Sequence, residues 1–554
     1  FVIDSEWSTQ LLVAAKRCVI FWKNRKKILK MKKTIIIVFI LILQNSFAQN
    51  GILDSSFGSG GLKTFSLVNR NTRGNHLITF SDNSFIIAGN SDGVTYAPNT
   101  ERGFFITKYL SSGDLDTNFG TNGVISIEGT LTGETFLTSA IKCNDGKVLM
   151  VCKINGISKF IKINPIVGYD SQFGINGFVD LPANTLPGIL GEFNNGKFIS
   201  INGTYNGNSN TYIFNRYNAD GSIDLSFGNN GGLISDITSF SYDYCQAIKI
   251  LPNNKFITVG SSSNSWGNYF TGHICKFNED GTLDTTFGNN GVVLTQIGVS
   301  PGYAQYRNLD LLNSGEIVVC GSSEYSGGTG GFGGTKPILV KYNSDGTLDN
   351  TFGTNGIVVL DVMFNGNDNF YSVKVQSNNK ILGIGSSAYP YPYMKTFLNI
   401  SRLLENGTLD NTFGNNGIFL TDNNTSQLNN GWKIEIQNDT KIIALGSTST
   451  GESTIKNTLI CRFDFENSLN INQNSSENDL VIYPNPTINK VYLKGVNSIN
   501  NVEIYNILGQ SFNVLKREIS NNELEIDISK LSQGTYIFKI ETDSKISVKK
   551  IIIE

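Results

Sequence analysis

Histidine is scarce, with only His76 and His273 in 554 residues, and this leaves little room for His-based metal centres or acid–base relays. Charged residues make up only 16% of the chain, and the apolar spacing and caps that mark helices are nearly missing, so an all-β class is expected. Long apolar runs are lacking too. The one candidate, Ile35 to Leu43, falls short of the ~20 residues a membrane-spanning helix needs. It follows Met31, Lys32 and Lys33 and precedes Ser46-Phe47-Ala48, the charged, apolar and small-residue order of a secretory signal cleaved after Ala48. Residues 1–30 read as an upstream extension and 31–48 as the signal, with no transmembrane segment expected in the mature chain. Positive charge is the last shortage. Residues 1–48 hold nine Lys or Arg against two acidic residues, a net +7, so their removal takes the chain from −2 to near −9. Nucleic acid is disfavoured as a partner, because such binding rests on clustered positive charge.

What the chain has in abundance is one phrase, Leu-Asp-x-x-Phe-Gly-x-x-Gly. It first reads Leu53-Asp54-Ser55-Ser56-Phe57-Gly58-Ser59-Gly60-Gly61. Its Asp and Phe recur as Asp116 and Phe119, Asp170 and Phe173, Asp224 and Phe227, Asp284 and Phe287, Asp349 and Phe352, and Asp410 and Phe413. The Phe anchors lie 54 to 65 residues apart, too long a period for solenoid repeats and about right for one four-stranded propeller blade. Asn-Gly follows in six copies, as at Asn290-Gly291. Asn and Gly accept positive φ, Asp takes N–H bonds in a turn, and Phe supplies one apolar anchor per unit, so the phrase reads as a structural corner between two strands.

Four short apolar segments follow each corner. After Phe227 they are Gly231 to Ile234, Ala247 to Ile250, Phe256 to Val259 and His273 to Phe277, alternating as strands do. Seven corners and seven strand sets predict a seven-bladed β-propeller of four-stranded blades over 49–467. Strands that alternate in direction put the loops after the first and third segments on one face. The corners and the tight turn between the second and third segments fall on the other. The corner face is uniform. The opposite face is irregular and rich in rings, with Trp266, Tyr269, Phe270, Tyr303, Tyr306, Tyr325, Phe332, Tyr389, Tyr391 and Tyr393 among Asn, Ser and Gly. Such loops make an adaptable binding surface for glycan or protein, whereas the plainer reading packs each ring on its own blade rim.

The seven copies resemble the delta-60 repeat, a bacterial propeller-type repeat with this signature, across Gly51 to Phe465. The resemblance implies an extracellular or surface setting and no settled activity. The corner also loosely resembles the Asp-box of sialidases, but the Asp-x-Gly-x-Thr order is missing.

Six cysteines lie beyond the signal: Cys143, Cys152, Cys245, Cys275, Cys320 and Cys461. A bridge between Cys143 and Cys152 is conceivable in an exported chain. However, Cys275 and Cys461 hold the strand place of Val340, and Cys320 that of Val259, which favours buried thiols. Oxygen-rich turns such as Asn343, Asp345 and Asp349 could ligate Ca²⁺, but the twelve-residue ligand loop with its closing Glu is missing, and no metal or cofactor is expected. Four Trp residues and no Trp-docking repeat argue against a quinone-dependent dehydrogenase.

Beyond a polar linker at 468–479 the pattern changes, and 480–554 reads as a small C-terminal β-sandwich. Its Tyr483-Pro484-Asn485-Pro486 opening, Leu508-Gly509-Gln510 turn, Gly534-Thr535-Tyr536 strand and Lys549-Lys550-Ile551 end resemble the type A sorting domain of the type IX secretion system. That resemblance implies passage through the periplasm, transport by the type IX machinery, and release or attachment at the outer cell surface. A glycan-binding or spacer sandwich is the alternative.

The expected function is a non-enzymatic exported module that binds glycan or protein through its irregular face. A polysaccharide lyase or hydrolase would instead need carboxylates or histidines convening at the central channel from separate blades, with Asp236, Asp243, Asp361, Asp368 and Asp422 as candidates. A structural spacer or adhesin is the third reading.

Overall fold

The computed structural model describes residues 52–464 and 480–553, apart from 94–101, 131–132, 184, 206–209, 265–269, 299–302, 325–333, 364–365, 390–394, 422–426, 438–439, 451–454, 486, 496–498, 507–509, 521–522 and 543–545. Every regular element among them is a strand, and no helix is long and apolar enough to cross a membrane. The strands divide into two compact units, before and after residue 467.

In the larger unit, hydrogen bonding sorts the strands into antiparallel sets. The first runs Arg70–Thr79, Phe85–Gly93, Arg102–Tyr109 and Val124–Glu128 in that order across the sheet. Among the described residues there are seven such sets, two of them joined by a single parallel bridge between Asn210 and Tyr242. Their leading strands touch in sequence: Arg70–Thr79, Phe136–Lys142, Ile189–Glu192, Tyr242–Ile250, Ala304–Leu311, Asn367–Val375 and Gln427–Gln437, with the last returning to the first. An apolar core fills each junction between neighbouring sets. Ile106 and Phe119 of the first set pack with Met150 and Ile161 of the second. Ile443, Leu445 and Ile460 of the last pack with Phe85, Ile87 and Phe105 of the first. Four-stranded sheets whose leading strands form an inner ring are the architecture of a β-propeller.

Strand membership differs from the sequence expectation. The strand after each corner pairs with the strand before it, as Val124–Glu128 does with Arg102–Tyr109, so the corner is a hairpin within one sheet and each sequence unit straddles two sheets. The first corner therefore belongs to the last set. Ile52–Leu53 and Leu62–Phe65 both pair with Asn457–Asp464, which closes the ring with the two ends of the domain.

The cause is local. Asp116 N–H donates to the Lys108 carbonyl and Phe119 N–H to the Asp116 carbonyl, both at 2.9 Å. Asn122 and Gly123 then fold the chain back at φ of 52° and 89°, the successive positive φ values that match the twist of a hairpin. A Cβ on Gly120 would stand 2.5 Å from the Val124 carbonyl oxygen, so glycine is required after the Phe.

Each corner Asp also meets a cation that the sequence reading did not foresee. Asp54 pairs with Arg462 Nε at 2.7 Å, Asp224 with Arg216 Nε at 2.7 Å, and Asp410 with Arg402 Nε at 2.8 Å. Lysine serves the same corners elsewhere, with Lys108 2.7 Å from Asp116, Lys147 2.7 Å from Asp170, Lys255 2.9 Å from Asp284 and Lys341 3.0 Å from Asp349. The arginines also stack on the corner rings, Arg462 at 4.6 Å over Phe57 and Arg402 at 4.8 Å over Phe413. Burial alone would raise these carboxyls. The Thr286 hydroxyl and the Lys255 ammonium outweigh it and hold Asp284 at about 2.

The smaller unit is two four-stranded sheets. Leu480–Tyr483, Lys490–Gly495, Glu523–Asp527 and Leu515–Ser520 form one, and Ser511–Phe512, Ile499–Asn506, Gly534–Thr542 and Ile546–Ile553 the other. Val491, Leu493 and Ile526 of the first meet Ile504, Phe538 and Ile551 of the second in one core, the arrangement of a β-sandwich.

Candidate functional site

Six of the seven inner strands carry one irregularity each at the same place. Pairing slips by a residue between Gly74 and His76, Leu137 and Ser139, Cys245 and Ala247, Tyr306 and Asn308, Phe370 and Ser372, and Gly431 and Lys433. A bulge of this kind leaves one residue unpaired and re-aims its side chain. The second strand permits it by having glycine opposite: a Cβ on Gly385 would lie 1.7 Å from the Asn369 carbonyl oxygen, and one on Gly260 the same distance from that of Tyr244. The extra residues are Asn75, Thr138, Gln246, Arg307, Tyr371 and Trp432. Unlike the corners, no two of these six are the same residue.

Four side chains at this level form a continuous run across neighbouring inner strands. The Arg307 guanidinium lies 6.0 Å from the Tyr371 ring centre, Tyr371 and Trp432 are 5.0 Å apart at 53°, and Arg73 lies 5.8 Å from Trp432. Trp432 Nε1–H donates to Ser447 Oγ at 3.2 Å, and Arg307 Nη2–H to Gln305 Oε1 at 2.5 Å, which fixes the orientation of one ring and one guanidinium. Tyr371 and Trp432 are half-buried and Arg73 is exposed. Beside Arg307 a cleft of about 210 Å³ opens between the fourth and fifth sets, lined by Tyr244, Gln246, Ser261, Phe270, Tyr306 and Arg307. These residues sit toward the start of their strands, on the side of the irregular loops.

Farther along the same strands, toward the corner face, the charges are paired. Lys249 meets Asp310 at 2.9 Å and Lys374 meets Glu435 at 2.8 Å. Burial would raise Asp310, but the charges of Lys374 and Lys249 hold it low. Burial likewise pulls Lys433 down, with Glu435 offsetting only part of it. A carboxylate engaged by lysine in this way is a poor proton donor at neutral pH.

The acids expected for an enzymatic channel do not convene. Asp243 and Asp368 are fully buried, and Asp236 and Asp361 are exposed, while Asp422 lies outside the described residues. Asp243 Oδ1 accepts from Ser262 Oγ at 2.6 Å and Thr238 Oγ1 at 2.7 Å. Ser262 Oγ also bonds His273 Nδ1, and Tyr212 OH bonds His273 Nε2, each at 2.7 Å. Burial pushes His273 down to about 3 and Asp243 up. With serine between acid and histidine, and His273 and Ser262 both fully buried, this chain lacks the order and exposure of a nucleophilic triad.

Of the loop aromatics, Tyr306 is fully buried and bonds Tyr342 OH at 2.7 Å. Phe270 is 9% exposed and packs edge-on to half-buried Tyr303 at 5.3 Å. Tyr389 is exposed and packs edge-on to Phe397 at 5.5 Å. Trp266, Tyr269, Tyr325, Phe332, Tyr391 and Tyr393 lie outside the described residues. The described structure brings Phe270 and Tyr306 together at the cleft, with Tyr303 packed on Phe270. The bulge residues were missed, although they recur 18 to 20 residues after the corner Phe. Cys143, Cys152, Cys275, Cys320 and Cys461 are buried, Cys245 is partly so, and all six are free thiols. Burial pushes the Cys152 thiol up to about 12. Among the described residues, no group of three His, Cys, Asp or Glu is placed to hold a metal ion.

Residues 201–227, 251–287, 312–352 and 376–413 match the model of the DUF5122 β-propeller, a domain of unknown function, and residues 481–554 match that of the secretion system C-terminal sorting domain. The chain carries DUF5122 β-propeller repeats within residues 201–413 and a type IX secretion sorting domain over residues 481–554. Each DUF5122 match ends on a corner Phe, at 227, 287, 352 or 413, so the matched stretches are the strands that lead into the corner together with its Asp and Phe. The sorting domain directs export to the cell surface or secretion and implies contact with the secretion machinery. No curated protein matches the chain. Among solved structures it is similar to polysaccharide lyase Uly1, at 9% identity and TM-score 0.44 over 76% of this chain and 98% of that one. It is also similar to a protein of unknown function from Dyadobacter fermentans, at 9% and 0.37 over 73% and 100%. PorZ of Porphyromonas gingivalis, a surface component of the type IX secretion system, aligns at 11% and 0.25 over 90% and 87%. Likeness of this degree carries nothing about substrate or role.

Proposed function

We propose that this protein is a non-enzymatic, seven-bladed extracellular binding module, with mature residues 49–467 as the propeller, and that it holds a glycan at the loop-side mouth of its inner ring. The observation that carries this reading is the half-buried Tyr371 and Trp432 pair on adjacent inner strands, flanked by Arg307 and Arg73. Aromatic faces at a concave opening offer apolar area at low entropic cost to the CH faces of a sugar ring. Half-buried Tyr303 and exposed Tyr389 stand on the same side and extend the surface. A lyase or hydrolase is less well supported, because Asp310 and Glu435 on the inner strands are each tied to a lysine.

The test is a glycan and matrix-protein array probed with the mature chain, residues 49–554. Two variants run alongside, Tyr371→Ala with Trp432→Ala, and Trp266→Ala with Tyr391→Ala. Loss of a ligand in the first variant supports the inner-ring site. Loss only in the second moves the site out to the loops. A ligand bound equally by all three, or no ligand at all, overturns the reading in favour of a spacer.

A further inference from the structure

From the two arginines of this site we infer that its ligand is an acidic oligosaccharide, one bearing carboxylates on its sugar rings. The inference rests on the binding reading above and names its ligand class. Arg307 and Arg73 stand at opposite ends of the ring pair, so the run reads cation, ring, ring, cation along four residues of three adjacent junctions. Among the described residues neither guanidinium forms an ion pair. Arg307 is bonded to the neutral Gln305 side chain, and Arg73 is exposed over the Trp432 ring.

The contrast with the rest of the molecule is what points to a ligand. All seven corners satisfy their Asp with a cation, and the inner-strand charges below this level are paired too, Lys249 with Asp310 and Lys374 with Glu435. A mature chain of net charge near −9 has carboxylates to spare, yet among the described residues none forms an ion pair with these two arginines. A guanidinium offers a planar fork of donors that fits a carboxylate in two parallel hydrogen bonds. Contact with an aromatic ring leaves N–H groups of the fork free to bond a ligand. The spacing adds a length. Two rings stand between the two cations, in steps of 6.0, 5.0 and 5.8 Å, an arrangement that suits acids borne on different residues of a chain. Gln246, exposed on the neighbouring bulge, and the Arg307 cleft continue the same path with neutral donors and acceptors.

The experiment compares two forms of one oligomer: oligogalacturonate, and the same oligomer with its carboxyls reduced to primary alcohols. Binding to the mature chain is measured by calorimetry at low and high NaCl. The wild type is expected to bind the acidic form at least about tenfold more tightly, the effect of losing one charge-assisted hydrogen bond or more, with the gap narrowing as salt rises. Arg307→Gln and Arg73→Gln should each cut affinity for the acidic form about tenfold and leave the reduced form unchanged. Trp432→Ala should weaken both forms and Trp432→Phe should restore them, which separates a stacking role from a folding defect. Equal wild-type affinity for the two forms overturns the acidic class and leaves the glycan site standing. Binding of neither oligomer, with capture of another glycan on the array, does the same. Preference for an acidic peptide, or an acidic preference untouched by either arginine substitution, overturns the inference at this site.

Discussion

The corners and the inner ring are made from the same repeats, and they obey opposite rules. At the corners Asp, a cation and Phe recur around the ring with nearly the same distances, 2.7 to 3.0 Å from carboxylate to cation. At the inner ring the backbone slips at the same step in six sets, but the residues placed there are Asn, Thr, Gln, Arg, Tyr and Trp. A fixed backbone with a uniform side chain is what folding asks for. A fixed backbone with a varied side chain is what recognition asks for, since an asymmetric ligand cannot be met by a symmetric ring.

The strongest way to break the comparison is at the closing corner. Deleting residues 49–66 removes the first Asp and Phe and both strands that complete the last set. Urea unfolding followed by circular dichroism should then lose its single cooperative transition, whereas deleting any six residues from a loop of the irregular face should not. Next in size is Arg402→Met, which takes one of two cations from the buried Asp410 and leaves it Lys380 and Thr412. A loss of about 2 kcal/mol is expected, and Arg462→Met and Arg216→Met should cost about the same, since Lys441 and Lys197 remain there. Unequal costs at these three corners would show that the repeats do not share one structural role.

Acid should then separate the two regions without mutation. Asp284 and Asp410 are held at about 2 against an ordinary 3.8, burial being outweighed by Thr and Lys partners. A carboxyl lowered on folding adds stability that is full above pH 4 and is lost as pH falls toward 2. Asp284→Asn should flatten that part of the curve, and Arg307→Gln should leave it unchanged. The smallest effect is expected at the site itself. Arg307→Gln should move unfolding by no more than about 0.5 kcal/mol while cutting affinity for the acidic ligand about tenfold, and a larger stability loss would make the inner ring another structural device.

Most of the corner was legible in the sequence, because the demands on it are local. Asp, Gly and Asn-Gly answer to hydrogen bonds and φ values within nine residues, and such demands leave a repeated phrase. Two things were not legible. The cation at Arg216 or Arg402 lies eight residues before its Asp, and the pairing that brings them together also decides to which sheet the following strand belongs. The sequence order alone suggested the wrong sheet. The inner ring was harder still, because a bulge is a property of backbone pairing and each bulged residue differs from the next. Their spacing from the corner Phe was the available signal, and it is visible only once the bulge is known. Tyr306, with a buried hydroxyl held by Tyr342, shows the complementary difficulty: a ring beside a loop looks the same in sequence whether it faces solvent or a neighbouring sheet.

The strand at Asn457–Asp464 is gripped on one side by the beginning of the domain, with Ile52 beside Asp464 and Leu53 beside Phe463. Both ends of the propeller thus leave from the same end of one antiparallel ladder. A pull between them loads the hydrogen bonds one after another from the open end, as a zipper is loaded, rather than all together in shear. The first resistance that such a pull meets is Asp54 held to Arg462 and Lys441. That ion cluster is therefore the first latch loaded by a pull between the two ends of the ring.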